Sequence, residues 1–321
     1  MIKMVELFCG AGLIGEGFHQ AGFDAIYAAD LDKDAITSYN QNLSNKVGVV
    51  SNVGIVRTDL KCDVILAGPP CQGFSTLGKR DKKDERNKLS LLLLDWAKST
   101  RAKVIVIENV PQFLNSEYHK TLVKEFKKMG YEYTSWVLNA SEFNTPQNRK
   151  RSFTIFSLIG LPEQPITSTK KITVKEAFKG LNLVADADGM HSVPQPTALA
   201  LERIKAVPRD GSKIDLMEKF PHLCPKSWFK MGHQAVDVWG RMHWNKPSNT
   251  IRCSFQRPSK GRYLHPTENR CITLREGARL QGIPDHWNFH GSKTSIARQI
   301  GNGVPIPLAK AVGESIVKLF N

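Results

Sequence analysis

The chain of 321 residues lacks the cysteine patterns of metal sites and disulfide frameworks. Its six cysteines form no C-x-x-C pair and no Cys/His cluster with zinc-ligand spacing. We therefore expect no metal and no disulfides, and we expect five of the cysteines to be small buried hydrophobic residues. No apolar run approaches the roughly 18 residues of a membrane span, and Glu6 lies where a signal peptide would be apolar. These absences favour an intracellular protein.

Acidic residues are scarce in the second half of the chain. The net charge is +15 overall, but it is only +3 over residues 1–150, +12 over 151–321 and +9 within 203–262. Aromatic residues interleave with this basic block: Trp228, Phe229, Trp239 and Trp244. Such a block indicates a polyanionic partner, and the aromatic residues favour nucleic acid over a basic surface that serves only solubility.

Short apolar runs alternate with helical patterns over the first 160 residues. Strands are predicted over Val5–Phe8, Ala25–Ala29, Val64–Ala67, Val104–Ile107, Tyr131–Leu138 and Ser152–Ile159. Helices are predicted over 13–21, 33–42, 88–99 and 117–129. This alternation predicts an α/β fold with a mainly parallel sheet covered on both faces.

The pattern changes after about residue 180, where prolines become frequent and helical periodicity weakens. A helical period returns from about residue 307. We therefore predict a catalytic domain formed by residues 1–180 and 297–321, and a second, smaller, irregular domain over 181–296.

A glycine-rich turn follows the first predicted strand. Gly10 and Gly12 permit a tight turn and close approach to a ligand, and acidic turns at Asp30 and Asp59 follow two further strands. The turn alone is compatible with NAD, flavin or S-adenosylmethionine. Because its spacing departs from G-x-G-x-x-G, it favours an adenosine-containing ligand without a pyrophosphate.

Six segments occur along the chain in the order FCGAGLIGEGF, GPPCQGFS, ENV, PQNRKR, REGARLQGIPD and QIGNGVPIP. In order and rough spacing they resemble the motifs of bacterial restriction-modification DNA cytosine-5 methyltransferases. The resemblance covers nearly the whole chain except about 160–240. It implies a Rossmann-like class I methyltransferase sheet, a target-recognition domain and S-adenosylmethionine as cofactor, with S-adenosylhomocysteine as product.

The resemblance assigns four catalytic residues. Cys71 is expected to add to cytosine C6, which makes C5 nucleophilic. Glu108 is expected to bond N3 as a protonated acid, which requires a raised pKa. Arg151 is expected to bond the cytosine O2 and support Cys71, while Arg149 helps to hold Glu108. Asn109 is expected to orient the loop around Cys71.

Binding residues carry over in the same way. The expected cofactor residues are Phe8, Gly10, Gly12, Asp30, Leu31, Asp59, Leu60, Pro70, Leu89 and Asn302. The expected DNA-binding residues are Gln72, Ser75, Lys79, Arg80, Arg241, Thr250, Arg252 and Arg257, with Arg262 as a further candidate. The charged segment 76–87 is expected to close over the phosphates once a base has been extruded.

Three positions depart from the family pattern. Leu13 stands where a second consecutive glycine is usual, Asn144-Thr145 replaces a common Gly-Val, and Gly303 replaces a common serine or alanine. None of them is expected to touch a catalytic group, so we expect an active enzyme.

We expect a cytoplasmic, monomeric enzyme of a bacterial or phage-infected cell that acts on double-stranded DNA. Any cognate restriction endonuclease is not expected to form a stable complex with it. An RNA cytosine methyltransferase is the first alternative, but those typically carry a second catalytic cysteine in a T-C motif. A non-catalytic DNA-binding regulator would be expected to lack Cys71 or Glu108. Adenine and N4-cytosine methyltransferases typically carry [DNS]-P-P-[YFW] instead.

Overall fold

A computed structural model describes residues 1–70, 85–181, 189–231 and 234–321. Within these ranges seven strands form one sheet: β1 (Ile2–Leu7), β2 (Phe23–Asp30), β3 (Gly48–Val50), β4 (Val64–Ala67), β5 (Val104–Asn109), β6 (Glu132–Asn139) and β7 (Lys150–Ser157). Their spatial order is β3-β2-β1-β4-β5-β7-β6. All neighbouring pairs are parallel except those made by β7, which runs antiparallel to β5 and β6.

Helices flank the sheet and build most of the remaining regular structure. They are α1 (Leu13–Gln20), α2 (Lys33–Asn42), α3 (Leu93–Thr100), α4 (Glu117–Lys128), α5 (Val174–Ala177), α6 (Ala198–Ala206), α7 (Lys213–Lys219), α8 (Lys226–Met231), α9 (Leu274–Leu280), α10 (Lys293–Asn302) and α11 (Ile306–Val317). Short 3-10 segments lie at Glu85–Leu92, Pro111–Asn115, Ala140–Glu142, Pro221–Leu223, Pro258–Lys260 and Lys318–Phe320. No helix in the described ranges is long and apolar enough to cross a membrane.

Both faces of the central strands are buried, as their continuous apolar runs predict. On β4, Val64 and Leu66 pack on the side that also holds Phe18 of α1 and Leu308 of α11. Ile65 and Ala67 face the other side, where α3 and α4 supply Leu93, Trp96, Leu122 and Phe126. This alternation confirms the predicted α/β sheet.

The predicted strands and helices are present with small shifts at their ends. The segment predicted as one helix over 88–99 is divided into a 3-10 segment and α3. The sequence prediction missed β3, because its three residues at the sheet edge are too few to show a periodic pattern.

The second domain has only a small core of its own. Ile204, Val207 and Leu216 pack with Trp239 and Leu264. Residues 272–296 instead share a larger apolar cluster with α1 and α2; that cluster includes Leu274, Leu280, Trp287 and Ile296 together with Leu13 and Tyr39. The same cluster also contains Ile251, Phe255 and Tyr263 of the second predicted domain, so one apolar core joins parts of both domains, and the boundaries at residues 180 and 297 remain predictions.

Candidate active site

A cavity of about 830 Å³ opens at the carboxyl ends of the parallel strands. The strand order reverses between β1 and β4, and such a reversal leaves a crevice where ligands bind in open α/β sheets. The chain segments at the ends of β1, β2, β3, β4 and β5 all contribute to its wall, together with Arg298, Gln299 and residues 301–304. The fold thus brings the separate sequence motifs to one place.

The glycine turn after β1 is tightly bent and anchored to the end of β2. Phe8, Gly10 and Gly12 have φ angles of 57°, 53° and 84°. The Gly10 N–H donates to Asp30 Oδ2 at 2.9 Å, and the other carboxylate oxygen of Asp30 accepts from the Asp32 N–H at 2.9 Å. Phe8, Gly10 and Asp30 all line the cavity, whereas a side chain on Gly12 would meet the Tyr39 ring.

Seven of the ten predicted cofactor residues line this cavity, namely Phe8, Gly10, Asp30, Leu31, Pro70, Leu89 and Asn302. Asp59 and Leu60 do not belong to the lining. Asp59 is exposed and paired with Arg57 at 2.6 Å, which lowers the pKa of its carboxyl group to about 2.

Asn52 and Val53 occupy the expected place of Asp59 and Leu60 in the cavity wall. They lie in the turn after β3, the strand that the sequence did not predict. The prediction of Asp59 rested on an acidic turn after Val56-Arg57-Thr58, a segment that forms no strand of the sheet. The structure therefore does not bring Asp59 and Leu60 to the cavity wall, and we expect Asn52 and Val53 to take the role assigned to them.

Glu108 and Arg151 meet at the edge where β5 pairs with β7. Arg151 Nε lies 2.9 Å from Glu108 Oε1, and the two side chains are only 12% and 15% exposed for Glu108 and Arg151 respectively. Burial raises the pKa of Glu108 above its usual range, although the positive charges of Arg151 and Arg149 oppose the rise. Both side chains line the cavity. The pair places a carboxyl group, whose neutral form is favoured by burial, beside a cationic hydrogen-bond donor.

Asn109 ties the end of β5 to the segment that precedes Cys71. Its Nδ2 donates to the Pro69 carbonyl oxygen at 3.1 Å. Pro69 and Pro70 both line the cavity. Cys71 itself, with Gln72, Ser75, Lys79, Arg80 and the segment 76–84, lies outside the described residues. The predicted orienting role of Asn109 is compatible with this bond, and it remains a prediction.

Arg149, which was expected to help to hold Glu108, is buried in the protein interior. Its side chain is 1% exposed, and it donates to the Ile251 carbonyl at 2.9 Å and to the Gly301 carbonyl at 2.8 Å. It therefore joins the start of β7 to α10 and to the chain that returns from the second domain. Its charge still lowers the pKa of Glu108 from a distance, while these two hydrogen bonds are to backbone oxygens.

Two buried glutamines that the sequence analysis missed complete this junction. Gln147 accepts from the Ile251 N–H at 2.9 Å and donates to Gln281 Oε1 at 3.0 Å. Gln281 in turn donates to the Ile300 carbonyl at 2.6 Å. Both lie within recognised motif segments, but a single sequence does not reveal that their side chains meet 134 residues apart in the chain.

One of the cysteines expected to be buried is exposed. Cys253 lies at the surface beside Asn302, whose Oδ1 accepts from the Cys253 thiol at 2.9 Å. Cys9, Cys62 and Cys271 are buried as predicted, and Cys224 is half-buried. The expectation of five buried thiols is therefore wrong for Cys253 and incomplete for Cys224.

Arg241 does not face solvent, so its assignment to DNA binding is wrong. The residue is 4% exposed. Its guanidinium donates to five acceptors within the protein: the carbonyl oxygens of Val207, Ile204, His265 and Glu268, and Asn269 Oδ1. An arginine has five N–H donors in total. Arg241 therefore stabilises the second domain by holding residues 204–207 and 265–269 together.

The other predicted DNA contacts differ in their accessibility. Arg262 is also largely buried, and its guanidinium donates to Asp237 and to backbone oxygens. Thr250 Oγ1 donates its one proton to the Asn148 carbonyl at 2.8 Å. Arg252 and Arg257 are exposed. Of the described candidates, the last two remain open to a polyanion.

Sequence and structure comparisons agree with this geometry. The profile of the family described as "C-5 cytosine-specific DNA methylase" matches residues 2–318. The chain is 32% identical to the Type II methyltransferase M.PspPI of Psychrobacter sp. (strain TA137) over 99% of this chain and 80% of that protein. It is 33% identical to the Type II methyltransferase M.Eco47II of Escherichia coli, over 99% and 79% of the two chains.

A similar fold occurs in the Entamoeba histolytica methyltransferase EhMeth. The TM-score is 0.74 at 18% identity, over 100% of this chain and 99% of the other. The family match, the two relatives and the cavity at the strand ends lead to one conclusion. The chain belongs to the C-5 cytosine-specific DNA methylase family and is a DNA cytosine-5 methyltransferase.

Proposed function

We propose that this enzyme methylates one cytosine within a short, specific duplex sequence by extruding the base and attacking it with Cys71. The observation that carries the proposal is the buried contact of 2.9 Å between Glu108 and Arg151 in the wall of the strand-end cavity. Pro70, the residue bonded to Cys71, lines the same cavity. A nucleophile, an acid and a cation are the three groups that addition to cytosine requires.

The cavity fits S-adenosylmethionine, the cofactor that membership in a methyltransferase family implies. It offers the Phe8 ring, the anchored carboxylate of Asp30 and the backbone of the Gly10 turn. Asp30 would accept from the ribose hydroxyls, and Asn52 and Val53 would lie beside the adenine. When bound, the cofactor supplies an electrophilic methyl group on its sulfonium sulfur.

Cys71 would act as the nucleophile. Its thiolate would form a bond to C6 of the cytosine, and the ring electrons would then be available at C5 to take the methyl group. Loss of the C5 proton to a base and cleavage of the bond between sulfur and C6 would restore the aromatic ring and the thiolate. The bond from Asn109 to Pro69 would hold the loop during these steps.

Glu108 and Arg151 would stabilise the charge that develops on the ring. Glu108 would donate its proton to N3 as the thiolate adds and take it back when the bond between sulfur and C6 breaks. The first step requires the neutral acid and therefore the raised pKa that burial produces. Arg151 would donate to the cytosine O2. Arg149 would act as a positioning residue, because its donors hold the Ile251 and Gly301 carbonyls.

DNA binding would require base flipping, because C6 inside a duplex is not accessible to a thiol. The exposed Arg252 and Arg257 would contact DNA from the second domain. The segment with Gln72, Ser75, Lys79 and Arg80 would close over the extruded nucleotide. Because the relatives are named Type II methyltransferases, we further propose that the enzyme belongs to a restriction-modification system. We also propose that it acts as a monomer.

Bisulfite sequencing of plasmid DNA from an expressing host tests the activity and the target together. We expect protected cytosines in one short motif, and the Cys71→Ser variant should protect none. The complete absence of protected cytosines with the folded wild-type enzyme would refute the proposal.

A duplex with 5-fluorocytosine at the target tests the covalent step. Fluorine cannot leave C5 as a proton does, so the adduct should accumulate on the peptide that contains Cys71. Mass spectrometry that locates the adduct on another peptide, for example the one with the exposed Cys253, would overturn the assignment of the nucleophile.

A further inference from the structure

The two departures from the family pattern at Leu13 and Gly303 lie in direct contact. An ideal Cβ placed on Gly303 would lie 2.2 Å from Leu13 Cδ1, a distance that real Cβ atoms essentially never show. The next residue that this Cβ would meet is Gln299, whose carbonyl oxygen is at an ordinary 3.4 Å. The Leu13 side chain therefore occupies the space that a side chain at 303 would take.

The backbone at Gly303 is held from two sides and cannot easily retreat. Its N–H donates to the Gln299 carbonyl at 3.2 Å, and its carbonyl accepts from Gln281 Nε2 at 3.3 Å. Gln281 is 0% exposed and also donates to the Ile300 carbonyl. An added Cβ must therefore displace Leu13 and not the chain that carries Gly303.

Leu13 is enclosed on most sides and open on one. It is 2% exposed and packs in a cluster with Ile36, Tyr39 and Ile300. Leu13 and Gly303 both line the strand-end cavity. Close packing resists movement of Leu13 into its cluster, so a displaced side chain would move toward the cavity.

We infer that Leu13 is a cofactor-positioning residue and that Gly303 is the partner that admits it. A large side chain at position 13 fills the space that a side chain at position 303 would otherwise take. The pair therefore sets the shape of the cavity wall between the glycine turn and the end of α10. The inference rests on the proposed use of S-adenosylmethionine. It implies that the two positions affect cofactor binding together and not independently.

A double-mutant cycle on the full chain tests this coupling, with the Kd for S-adenosylhomocysteine measured by isothermal titration calorimetry. Gly303→Ala alone should weaken binding at least about tenfold, because Leu13 is displaced toward the cavity. Adding Leu13→Ala should remove the clash, so that the double variant binds within about threefold of Leu13→Ala alone. An effect of Gly303→Ala that is equal in both backgrounds would overturn the inference.

Steady-state kinetics separates positioning from simple instability. For Gly303→Ala we expect the KM for S-adenosylmethionine to rise while kcat changes less than threefold, and we expect the KM of the double variant to match that of Leu13→Ala alone. A fall in kcat with an unchanged KM would contradict a role in cofactor positioning. If Gly303→Ala does not fold, the double variant should fold and bind; a double variant as defective as the single one would also refute the pairing.

Gly313→Ala is a matched control. Its added Cβ would lie 2.8 Å from the Ala21 Cβ, in the packing of α11 on α1 and away from the cavity lining. It should lower the Tm without recovery by Leu13→Ala, and recovery would show that the coupling is not specific to Gly303. Failure of the folded wild-type chain to bind S-adenosylhomocysteine would instead refute the proposed cofactor, and with it this role of Leu13.

Discussion

Arg151 Nε contacts Glu108 Oε1 at 2.9 Å, across the antiparallel pairing of β5 and β7. The residues are 43 positions apart in the chain, and the register of these two strands brings them together. Burial raises the pKa of Glu108, and the arginine opposes that rise. The two effects oppose each other at the same carboxyl group, and burial is the larger of the two.

Glu108→Gln should lower kcat by about 10²–10⁴-fold, the range typical of a lost general acid. The amide is nearly isosteric with the neutral acid and its oxygen can still accept from Arg151 Nε, so the Tm should change little. Single-turnover methylation of a short duplex, with DNA affinity measured in parallel, checks this expectation. A variant that retains most of its turnover would exclude Glu108 as the acid.

The activity of the wild type should fall as pH rises through the raised pKa of Glu108. The neutral acid is the active form, and it is fully present below that pKa and lost above it. A pH profile of kcat/KM for DNA checks the direction. The residual activity of Glu108→Gln should not show this fall at higher pH, because the amide does not titrate. Activity that increases through the same range would mean that the carboxylate is the active form.

Glu6 should make the stability of the fold depend on pH. The residue is fully buried behind the glycine turn and bonded to the Tyr39 hydroxyl, and desolvation raises its pKa from 4.5 to about 8. Below 4.5, the pKa of Glu6 in the unfolded chain, both states are protonated and the stabilisation that protonated Glu6 gives the fold is fully present. This stabilisation is lost as pH rises toward 8, the pKa in the folded chain. The slope is about 1.4 kcal/mol per pH unit within that window.

Chemical denaturation of wild type and Glu6→Gln between pH 5 and 8 measures this slope. The free energy of unfolding of the wild type should fall relative to that of Glu6→Gln as pH rises. The exposed Glu163→Gln is the control and should follow the wild type. Parallel curves for wild type and Glu6→Gln would show that Glu6 does not titrate in this range.

Asp30 and Asp59 should differ sharply in their effect on cofactor binding. Asp30 lines the cavity, and a hydrogen bond to a charged group such as its carboxylate is worth about 1.5–3 kcal/mol. Asp30→Ala should therefore raise the Kd for S-adenosylhomocysteine at least about tenfold. Asp59 pairs with Arg57 at the surface, so Asp59→Ala should bind S-adenosylhomocysteine with the same Kd as the wild type. Equal losses in calorimetry would restore Asp59 to the cofactor site.

Arg241 and Arg257 should separate stability from DNA binding. Arg241→Ala leaves five acceptors without their donor, so it should destabilise the fold by about 3–5 kcal/mol. Arg257 is exposed, so Arg257→Ala should keep the Tm and reduce the slope of log K against log[salt] by about one unit if it contacts a phosphate. Thermal melts and anisotropy titrations at several salt concentrations distinguish the two outcomes.

Several local features were predictable because they depend on neighbouring residues. Continuous apolar runs predict the buried strands, and β4 has the predicted bounds. Asn144, where the family commonly has glycine, adopts a φ of 49°, a conformation that asparagine tolerates better than most residues. The departure from the family pattern at this position is therefore conservative in conformation.

The sequence by itself determined the family, the α/β sheet and the chemical groups available for catalysis, because ordered motifs and apolar periodicity are local properties of the chain. The tertiary structure alone decided that Asn52 and Val53 replace Asp59 and Leu60 in the cavity wall. It also decided that Arg241 lies inside while Arg257 lies outside, and that Leu13 fills the space left by Gly303. These outcomes depend on contacts between residues far apart in the chain, and no pattern within a short segment specifies which distant side chain will occupy a given space.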